Sequence, residues 1–133
     1  MRDTWDSYFL KIAEKVASRA TCPRASVGAV IVKDKRIIAT GYNGAPSGEP
    51  HCSDVGCDMV NGHCQRAIHA ETNAIAQAAR FEVAVGRATL YYWDSGGRPM
   101  RACVKCTQLI RAAGIKRVVS VFGEESLGVW ART

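Results

Sequence analysis

Two short motifs carry the residues best suited to chemistry, His69-x-Glu71 and Cys103-x-x-Cys106. Together they supply one imidazole, two thiols and one carboxylate. An imidazole and two thiolates can hold a zinc ion and leave its fourth position open for water. We therefore expect His69, Cys103 and Cys106 to bind a catalytic zinc ion, with Glu71 as the acid/base group beside the water.

The positions of these residues in predicted helices support this geometry. Cys103 and Cys106 stand three residues apart at the start of a predicted helix, so both thiols face the same way. The positive potential at a helix N-terminus favours the thiolate that binds metal. His69 and Glu71 would point apart in the middle of a helix, but first-turn side chains can project beyond the helix end. His69 can then bind zinc while Glu71 reaches the water without being a ligand.

The other cysteines frame a long irregular stretch and predict a second metal site. Residues 43–62 hold glycines, prolines and no periodicity, and such a loop inside a compact domain is usually functional. Four thiolates make a closed structural zinc site, which would organise residues 43–63. His63 is the alternative fourth ligand, since neighbouring residues seldom both bind one ion. Buried free thiols are the alternative to the whole site. The predicted ligands are Cys22, Cys52, Cys57 and Cys64.

Composition narrows the class of protein. The chain has 133 residues, 47% hydrophobic and 23% charged, and we expect 1–133 to form one domain. No apolar run approaches the ~20 residues of a membrane helix. The N-terminus lacks the apolar core of a signal peptide, so we expect a cytoplasmic protein without a membrane partner. In that compartment six cysteines indicate metal binding and not disulfides.

The net charge of +6 attracts anions, including nucleotides and nucleic acid. The basic residues are scattered, however, and form no arginine-rich arm or aromatic-basic repeat. The charge pattern therefore does not indicate a nucleic-acid partner.

Hydrophobic periodicity predicts an α/β domain with a mixed sheet. The first helix has Asp3 as its expected N-cap, and Gly114 is expected to cap the last helix. The two first strands form a hairpin, and the strand–helix–strand order near the C-terminus implies a parallel pair. The predicted helices are 4–20, 63–80 and 103–113, and the predicted strands are 27–32, 37–42, 88–93 and 115–121.

The stretch from Thr21 to Ile75 closely resembles the deoxycytidylate deaminases of bacteria and phages, within the cytidine-deaminase-like superfamily. The two chemical motifs also match the zinc deaminase signature, His-x-Glu followed by Pro-Cys-x-x-Cys. Ala102 departs from it, since family members usually have Pro there, and the loop 94–101 is also unusual. The matching text is Cys22-Pro23-Arg24, Val27-Gly28-Ala29-Val30-Ile31-Val32, Thr40-Gly41-Tyr42-Asn43-Gly44-Ala45-Pro46-Ser47-Gly48, and Gly62-His63-Cys64 leading into Ile68-His69-Ala70-Glu71.

The resemblance implies a three-layer α/β/α fold with about five strands and the deamination of dCMP to dUMP and ammonia, which supplies dUMP for thymidylate synthesis. Zinc lowers the pKa of its water, Glu71 takes the proton, and hydroxide attacks C4 of cytosine. By similarity Asn43 holds the sugar hydroxyl and the Ala70 backbone contacts the base. Arg24 is the first candidate for the phosphate, with Arg66 and Arg80 after it.

The resemblance further implies assembly and regulation. Some related deaminases carry a second zinc near the irregular loop, which supports two zinc ions per chain. Many relatives are hexamers switched by dCTP and dTTP, often with magnesium. We therefore expect a homo-oligomer, with a hexamer favoured, and regulatory nucleotides accompanied by Mg²⁺.

Alternative functions stay open from the residues alone. A nucleic-acid deaminase, acting on tRNA adenosine or single-stranded DNA, would use the positive charge but should show a basic extension. A non-catalytic, zinc-stabilised binding module would not need Glu71. A purely structural zinc site and a redox dithiol are further interpretations of Cys103 and Cys106, and the redox dithiol leaves His69 without a task.

Overall fold

The computed structural model describes residues 1–22, 25–45, 48–57, 59–60, 63–64, 68–100 and 104–126. No helix within these ranges is both long and apolar enough to cross a membrane. The helices are α1 (Trp5–Ala17), α2 (Cys52–Val55), α3 (Ala70–Arg80) and α4 (Val104–Ala112). The strands are β1 (Val27–Lys33), β2 (Arg36–Tyr42), β3 (Met59–Val60), β4 (His63–Cys64), β5 (Thr89–Asp94), β6 (Arg117–Ser120) and β7 (Gly123–Glu125).

Five strands form a mixed sheet in the order β2-β1-β5-β6-β7. The β5/β6 pair, which α4 connects, is parallel, and the other pairs are antiparallel. The predicted hairpin and the predicted parallel pair are therefore both confirmed. Strand β7 was not predicted, because three residues at a sheet edge give no periodic signal.

The central strands bury both of their faces, which explains their continuous apolar sequences. Neighbouring residues alternate between faces, so Val30 and Val119 pack toward α1 while Ile31 and Val118 pack toward α3 and α4. Helix α1 thus covers one side of the sheet and the other two long helices cover the opposite side. The expected three-layer α/β/α architecture is confirmed.

The N-cap of the first helix lies one residue later than expected. Thr4, and not Asp3, has the extended backbone of an N-cap, and its hydroxyl oxygen accepts the Ser7 N–H at 3.2 Å. The Asp3 carboxylate instead accepts a hydrogen bond from the Lys11 ammonium at 2.8 Å. A threonine hydroxyl caps a helix about as well as a carboxylate does, so the two were hard to separate by sequence.

The buried face of α1 is narrower than its apolar stripe. Phe9, Ala13 and Ala17 are buried, but Trp5 and Tyr8 are 51% and 46% exposed. The Trp5 ring stacks on Phe9 at a centroid distance of 5.8 Å. Trp5 and Tyr8, at the start of the stripe, therefore lie at the solvent-exposed margin of the core and not in its interior.

The helix predicted over 63–80 is wrong in its first part. His63 and Cys64 form β4, and the helix starts only at Ala70. Ile68 is held extended because its N–H donates to the Gly44 carbonyl at 2.8 Å and its carbonyl accepts from the Gly44 N–H at 3.2 Å. This long-range bridge overrides the helical pattern, and it places His69 at the N-cap position of α3.

The stretch 43–62, expected to lack regular structure, contains some. It includes the one-turn helix α2 and the strand β3, which pairs with β4. Elements of two to four residues are too short to give a periodic signal, so sequence reasoning could not find them.

Both helical layers approach the sheet closely at a glycine. A Cβ atom on Gly41 would lie 2.4 Å from the Ala74 nitrogen and 2.5 Å from the Ala70 oxygen. On the other face, a Cβ atom on Gly28 would lie 2.1 Å from the Ala13 oxygen. Apart from Phe9 and Glu71, the buried residues of these two helices are alanines, in line with the small-residue pattern predicted for α3. The packing of glycine against alanine thus sets the short distance between α3 and β2.

Substituting Gly41 tests this contact. Gly41→Ala should destabilise the fold by about 1–3 kcal/mol, since overpacking forces a backbone shift. Urea unfolding measures the loss. Gly86→Ala is the matched control, because a Cβ atom there meets nothing within 4 Å. Equal stability of the two variants would contradict the close approach.

A polar link fastens α1 to the sheet near its first turn. The Tyr91 hydroxyl donates to Asp6 at 2.7 Å and Arg117 donates to the same carboxylate at 3.0 Å. The hydrogen bond from Tyr91 holds the pKa of Asp6 below its ordinary value of 3.8, and Arg117 adds to this against the effect of burial. Burial raises the pKa of Tyr91 to about 12, so the phenol stays a donor.

The link predicts a pH-dependent stability. A lowered folded-state pKa stabilises the protein above the unfolded-state value and loses that contribution as pH falls through the folded-state value. The free energy of unfolding of Asp6→Asn should lie below that of the wild type at pH 6, with the gap shrinking below pH 3.8. Urea titrations at several pH values measure it. A gap between Asp6→Asn and the wild type that stayed constant as pH fell from 6 to 3 would contradict the link.

Candidate active site

The catalytic candidates meet where α3 and α4 begin. His69 is the N-cap residue of α3, with extended backbone at φ −71° and ψ 154°, and its side chain makes no capping hydrogen bond. Glu71 follows in the first turn of α3, and Cys106 lies in the first turn of α4. An imidazole that does not cap its own helix can project past the helix end, as expected from the sequence.

The geometry suits a metal ion. His69 Nδ1 lies 3.1 Å from Cys106 Sγ. One ligand atom from each of His69, Glu71 and Cys106 lies within 4.8 Å of the others. Zinc bonds of ~2.3 Å to sulfur and ~2.0 Å to nitrogen can bridge such a separation. Imidazole and thiolate fit zinc as donors, and Cys103, the predicted third ligand, lies outside the described residues.

Glu71 is unusual for a carboxylate on a helix, because only 2% of its surface is exposed. Burial raises the pKa of Glu71, and the negative charge of Asp94 adds to the rise. Its own backbone N–H, Cys106 and His69 act in the opposite direction, but burial outweighs them. A buried carboxyl group with a raised pKa beside potential metal ligands is a candidate general acid/base.

A second cluster joins the segment after α1, which holds Cys22, to the irregular stretch 43–62, which holds Cys52 and Cys57. The sulfur atoms of Cys22, Cys52 and Cys57 lie within 4.8 Å of one another. The segments are also tied by the Ser53 N–H, which donates to the Thr21 carbonyl at 2.9 Å. Three sulfurs at this separation fit a thiolate metal site. The side chains of the other two predicted ligands, Cys64 and His63, lie outside the described part of the chain.

The predicted substrate residues fall in different places. The Asn43 amide is buried, with Oδ1 accepting from the Val27 N–H at 2.9 Å and Nδ2 donating to the Ala25 carbonyl at 2.8 Å. One lone pair and one amide hydrogen of Asn43 remain, so the predicted sugar contact stays a prediction. Ala70 opens α3 beside His69, and its backbone role is also untested.

Of the three arginine candidates for the phosphate, Arg80 is the one within the described residues. Arg24 and Arg66 lie outside the described residues. Arg80 is the last of the 11 residues of α3. At ~1.5 Å per residue it lies roughly 15 Å along the axis from the catalytic end. Its guanidinium packs over the Phe81 ring instead.

Sequence reasoning missed a buried polar group at the end of β5. The Tyr92 hydroxyl donates to Asp94 Oδ2 at 3.0 Å, and the Gly96 N–H donates to Asp94 Oδ1 at 2.7 Å. Burial, with the negative charges of Glu71 and Asp94, raises the pKa of Tyr92, so the phenol stays a donor. The available signal was Asp94 itself, an acidic residue directly after the predicted apolar strand 88–93. It was assigned to the loop instead.

A second missed residue is Glu125 on β7. It is buried, and its carboxylate accepts the Met100 N–H at 3.0 Å. Met100 lies in the connection that leads from β5 to α4 and Cys106. The edge strand therefore helps to fix the loop that precedes the cysteine helix.

Comparison with known proteins agrees with the geometry. The family model for the cytidine and deoxycytidylate deaminase zinc-binding region matches residues 3–122. ComE operon protein 2 of Bacillus subtilis is 47% identical over 117 residues, which cover 88% of this chain and 59% of that protein. The chain therefore spans less than two thirds of this relative. The deoxycytidylate deaminase of Mycobacterium phage D29 is 43% identical, over 89% of this chain and 94% of the relative.

A solved structure gives the same result. The dCMP deaminase of cyanophage S-TIM5, crystallised in complex with dCMP and dUMP, superposes with a TM-score of 0.73 at 30% identity. The match covers 90% of this chain and 82% of that one. With the family model matching residues 3–122, the chain belongs to the cytidine and deoxycytidylate deaminase zinc-binding family.

Proposed function

We propose that the chain catalyses the zinc-dependent hydrolytic deamination of dCMP to dUMP, with release of ammonia. The observation that carries the proposal is the buried Glu71 carboxylate, which lies with His69 and Cys106 in one cluster at the starts of two helices. The names of the phage relatives and the nucleotides bound in the cyanophage structure support the choice of dCMP. Its product would supply thymidylate synthesis.

The residues divide the chemistry between binding and proton transfer. His69, Cys106 and, from the sequence, Cys103 would hold the zinc ion, which lowers the pKa of a bound water and so supplies a nucleophile near neutral pH. Glu71 would take one proton from the attacking water and pass it to N3 as the water oxygen adds to C4 of cytosine. It would then take the second proton, from the hydroxyl now on C4, and pass it to the amine, so that C4=O forms, the C4–N4 bond breaks and ammonia leaves.

The raised pKa of Glu71 suits both roles. A buried carboxylate accepts a proton more readily than an exposed one, because burial disfavours its charged form. The same carboxyl must return the proton to the substrate within one turnover, which a general acid/base does. The position of Glu71 in the first turn of α3 keeps it next to His69 without requiring it to bind the metal.

We also propose a second, structural zinc ion held by Cys22, Cys52 and Cys57, with Cys64 as fourth ligand and His63 as the alternative. The three clustered sulfurs support it. The short helix α2 and the β3/β4 hairpin would otherwise depend on few apolar contacts, and a closed zinc site stabilises such small elements.

Several finer expectations remain predictions. They include the sugar contact of Asn43, the base contact of Ala70 and the phosphate contact of Arg24. They also include the single domain over 1–133, the cytoplasmic location, the hexamer, and the regulators dCTP and dTTP with Mg²⁺. The nucleic-acid deaminase and the non-catalytic zinc module remain alternative outcomes of the experiments that follow.

Replacing Glu71 with glutamine separates a catalytic from a purely structural site. Glu71→Gln should lower kcat for ammonia release from dCMP by about 10²–10⁴-fold, because general acid/base catalysis is lost. Zinc bound per chain should not change, since Glu71 is not proposed as a ligand. Glu14→Gln, on an exposed face of α1, is the control and should keep full activity. Full activity of Glu71→Gln on dCMP would contradict the proposal. So would a wild-type protein that deaminates only single-stranded nucleic acid.

Counting zinc in reciprocal variants tests the two sites. The wild type should bind two zinc ions per chain. Cys52→Ser should bind close to one and keep activity at low temperature, where the remaining fold suffices. Cys106→Ser should also bind close to one, but without activity. A count of one in the wild type would contradict the structural site. Atomic absorption after dialysis provides the measurement.

A further inference from the structure

The loop after β5 is attached to the segment before β1 by backbone and side-chain hydrogen bonds. Ser95 bonds twice to Ser26, since its N–H donates to the Ser26 carbonyl at 2.9 Å and its hydroxyl accepts the Ser26 N–H at 3.0 Å. Asp94 binds the Gly96 N–H, and its own carbonyl accepts the Gly97 N–H at 2.9 Å. These contacts fix the loop from both sides and so fix the position of the next residue, Arg98.

We propose that Arg98 binds the phosphate of the nucleotide substrate, held in position by the buried carboxylate of Asp94. The proposal rests on the deaminase function above, and it deepens that function by naming a residue that selects nucleotides over nucleosides. The loop that carries Arg98 is the part of the chain that departs from its family in sequence.

The hydrogen-bond geometry places Arg98 on the catalytic side. Its Nε donates to Asp94 Oδ2 at 3.3 Å, and the same oxygen accepts the Tyr92 hydroxyl at 3.0 Å. On the α3 side of the sheet, Tyr92 pairs with Ala29, which also pairs with Gly41, and Gly41 lies against the start of α3. The Arg98 guanidinium is therefore two hydrogen bonds from a phenol at the level where α3 begins.

The two ends of the Arg98–Asp94 pair have different surroundings. The Asp94 side chain is 2% exposed, whereas the Arg98 side chain is 64% exposed. A guanidinium has five N–H donors in a planar fork, and the contact with Asp94 uses only the one on Nε. The two terminal nitrogens can then form the paired hydrogen bonds by which arginine recognises phosphate.

A purely structural role accounts for Arg98 less well. An ion pair with an exposed partner contributes little to stability, because water screens it and the long side chain loses freedom. Asp94 already has Tyr92 and Gly96 as donors, so its burial does not depend on Arg98. What the pair does provide is a fixed direction for the guanidinium, and pre-orientation of this kind favours ligand binding.

Binding of the product and its nucleoside tests the proposal without turnover. The holoenzyme should bind dUMP more tightly than deoxyuridine in titration calorimetry. Arg98→Gln should weaken dUMP binding by about 10- to 100-fold, as expected for lost hydrogen bonds to a charged group. Deoxyuridine binding should change by about twofold at most, since a rim arginine contributes little to a neutral ligand. Arg98→Lys should fall between the two, because it keeps the charge but not the fork.

Kinetics and controls separate the possible failures. Arg98→Gln should raise KM for dCMP with little effect on deoxycytidine, at unchanged zinc content and Tm. Arg36→Gln, at the start of β2 next to the β1–β2 turn, should leave both substrates unaffected. Equal losses for both substrates, unchanged dUMP affinity in Arg98→Gln, or no preference for dUMP in the wild type would overturn the phosphate role. Arg98-dependent dUMP binding without ammonia release would overturn the deaminase proposal alone.

Discussion

The close contact between α3 and β2 determines where the reactive groups lie. Gly41 has no side chain to hold the helix away, and the alanines of α3 meet it with backbone atoms. The first turn of α3 therefore starts directly over the end of β2. This contact sets the positions of His69 and Glu71, because His69 is the N-cap of α3 and Glu71 lies in its first turn. A larger residue at Gly41 would move both groups relative to Cys106 on α4.

A second constraint is the burial of acidic groups around Glu71. Asp94 and Glu71 are both buried on the same side of the sheet, and their charges raise each other's energy. Asp94 is stabilised by three donors, on Tyr92, Gly96 and Arg98. The groups that favour the charged form of Glu71 do not outweigh its burial, so its pKa is raised. Burial next to Asp94 thus makes Glu71 the readier proton acceptor, which suits an acid/base group.

The sequence predicted the features that depend on local patterns. The apolar run of β1 and the polar turn after it specified the hairpin, and Asp34 and Lys35 both take the left-handed backbone that a tight two-residue turn requires. The pairing of His69 with Cys106 followed from ligand chemistry. The start of α3 could not be predicted, because it is set by the pairing of Ile68 with a residue 24 positions earlier, Gly44. Asp94 and Arg98 were missed for the same reason, since contacts with Ser26 fix their loop.

The two cysteine-containing clusters are joined by one continuous run of backbone hydrogen bonds. From the second cluster, Thr21 donates its N–H to the Asn43 carbonyl at 3.2 Å. The next residue, Gly44, pairs with Ile68, which immediately precedes His69. A Cβ atom on Gly44 would lie 2.4 Å from Thr21 Oγ1, so these segments also touch through van der Waals contact. Thr21, next to Cys22, is therefore connected to the residue before His69 through two hydrogen-bonded contacts, Thr21 with Asn43 and Gly44 with Ile68. The proposed ion at the second cluster would hold one end of this connection in place, without contact with substrate.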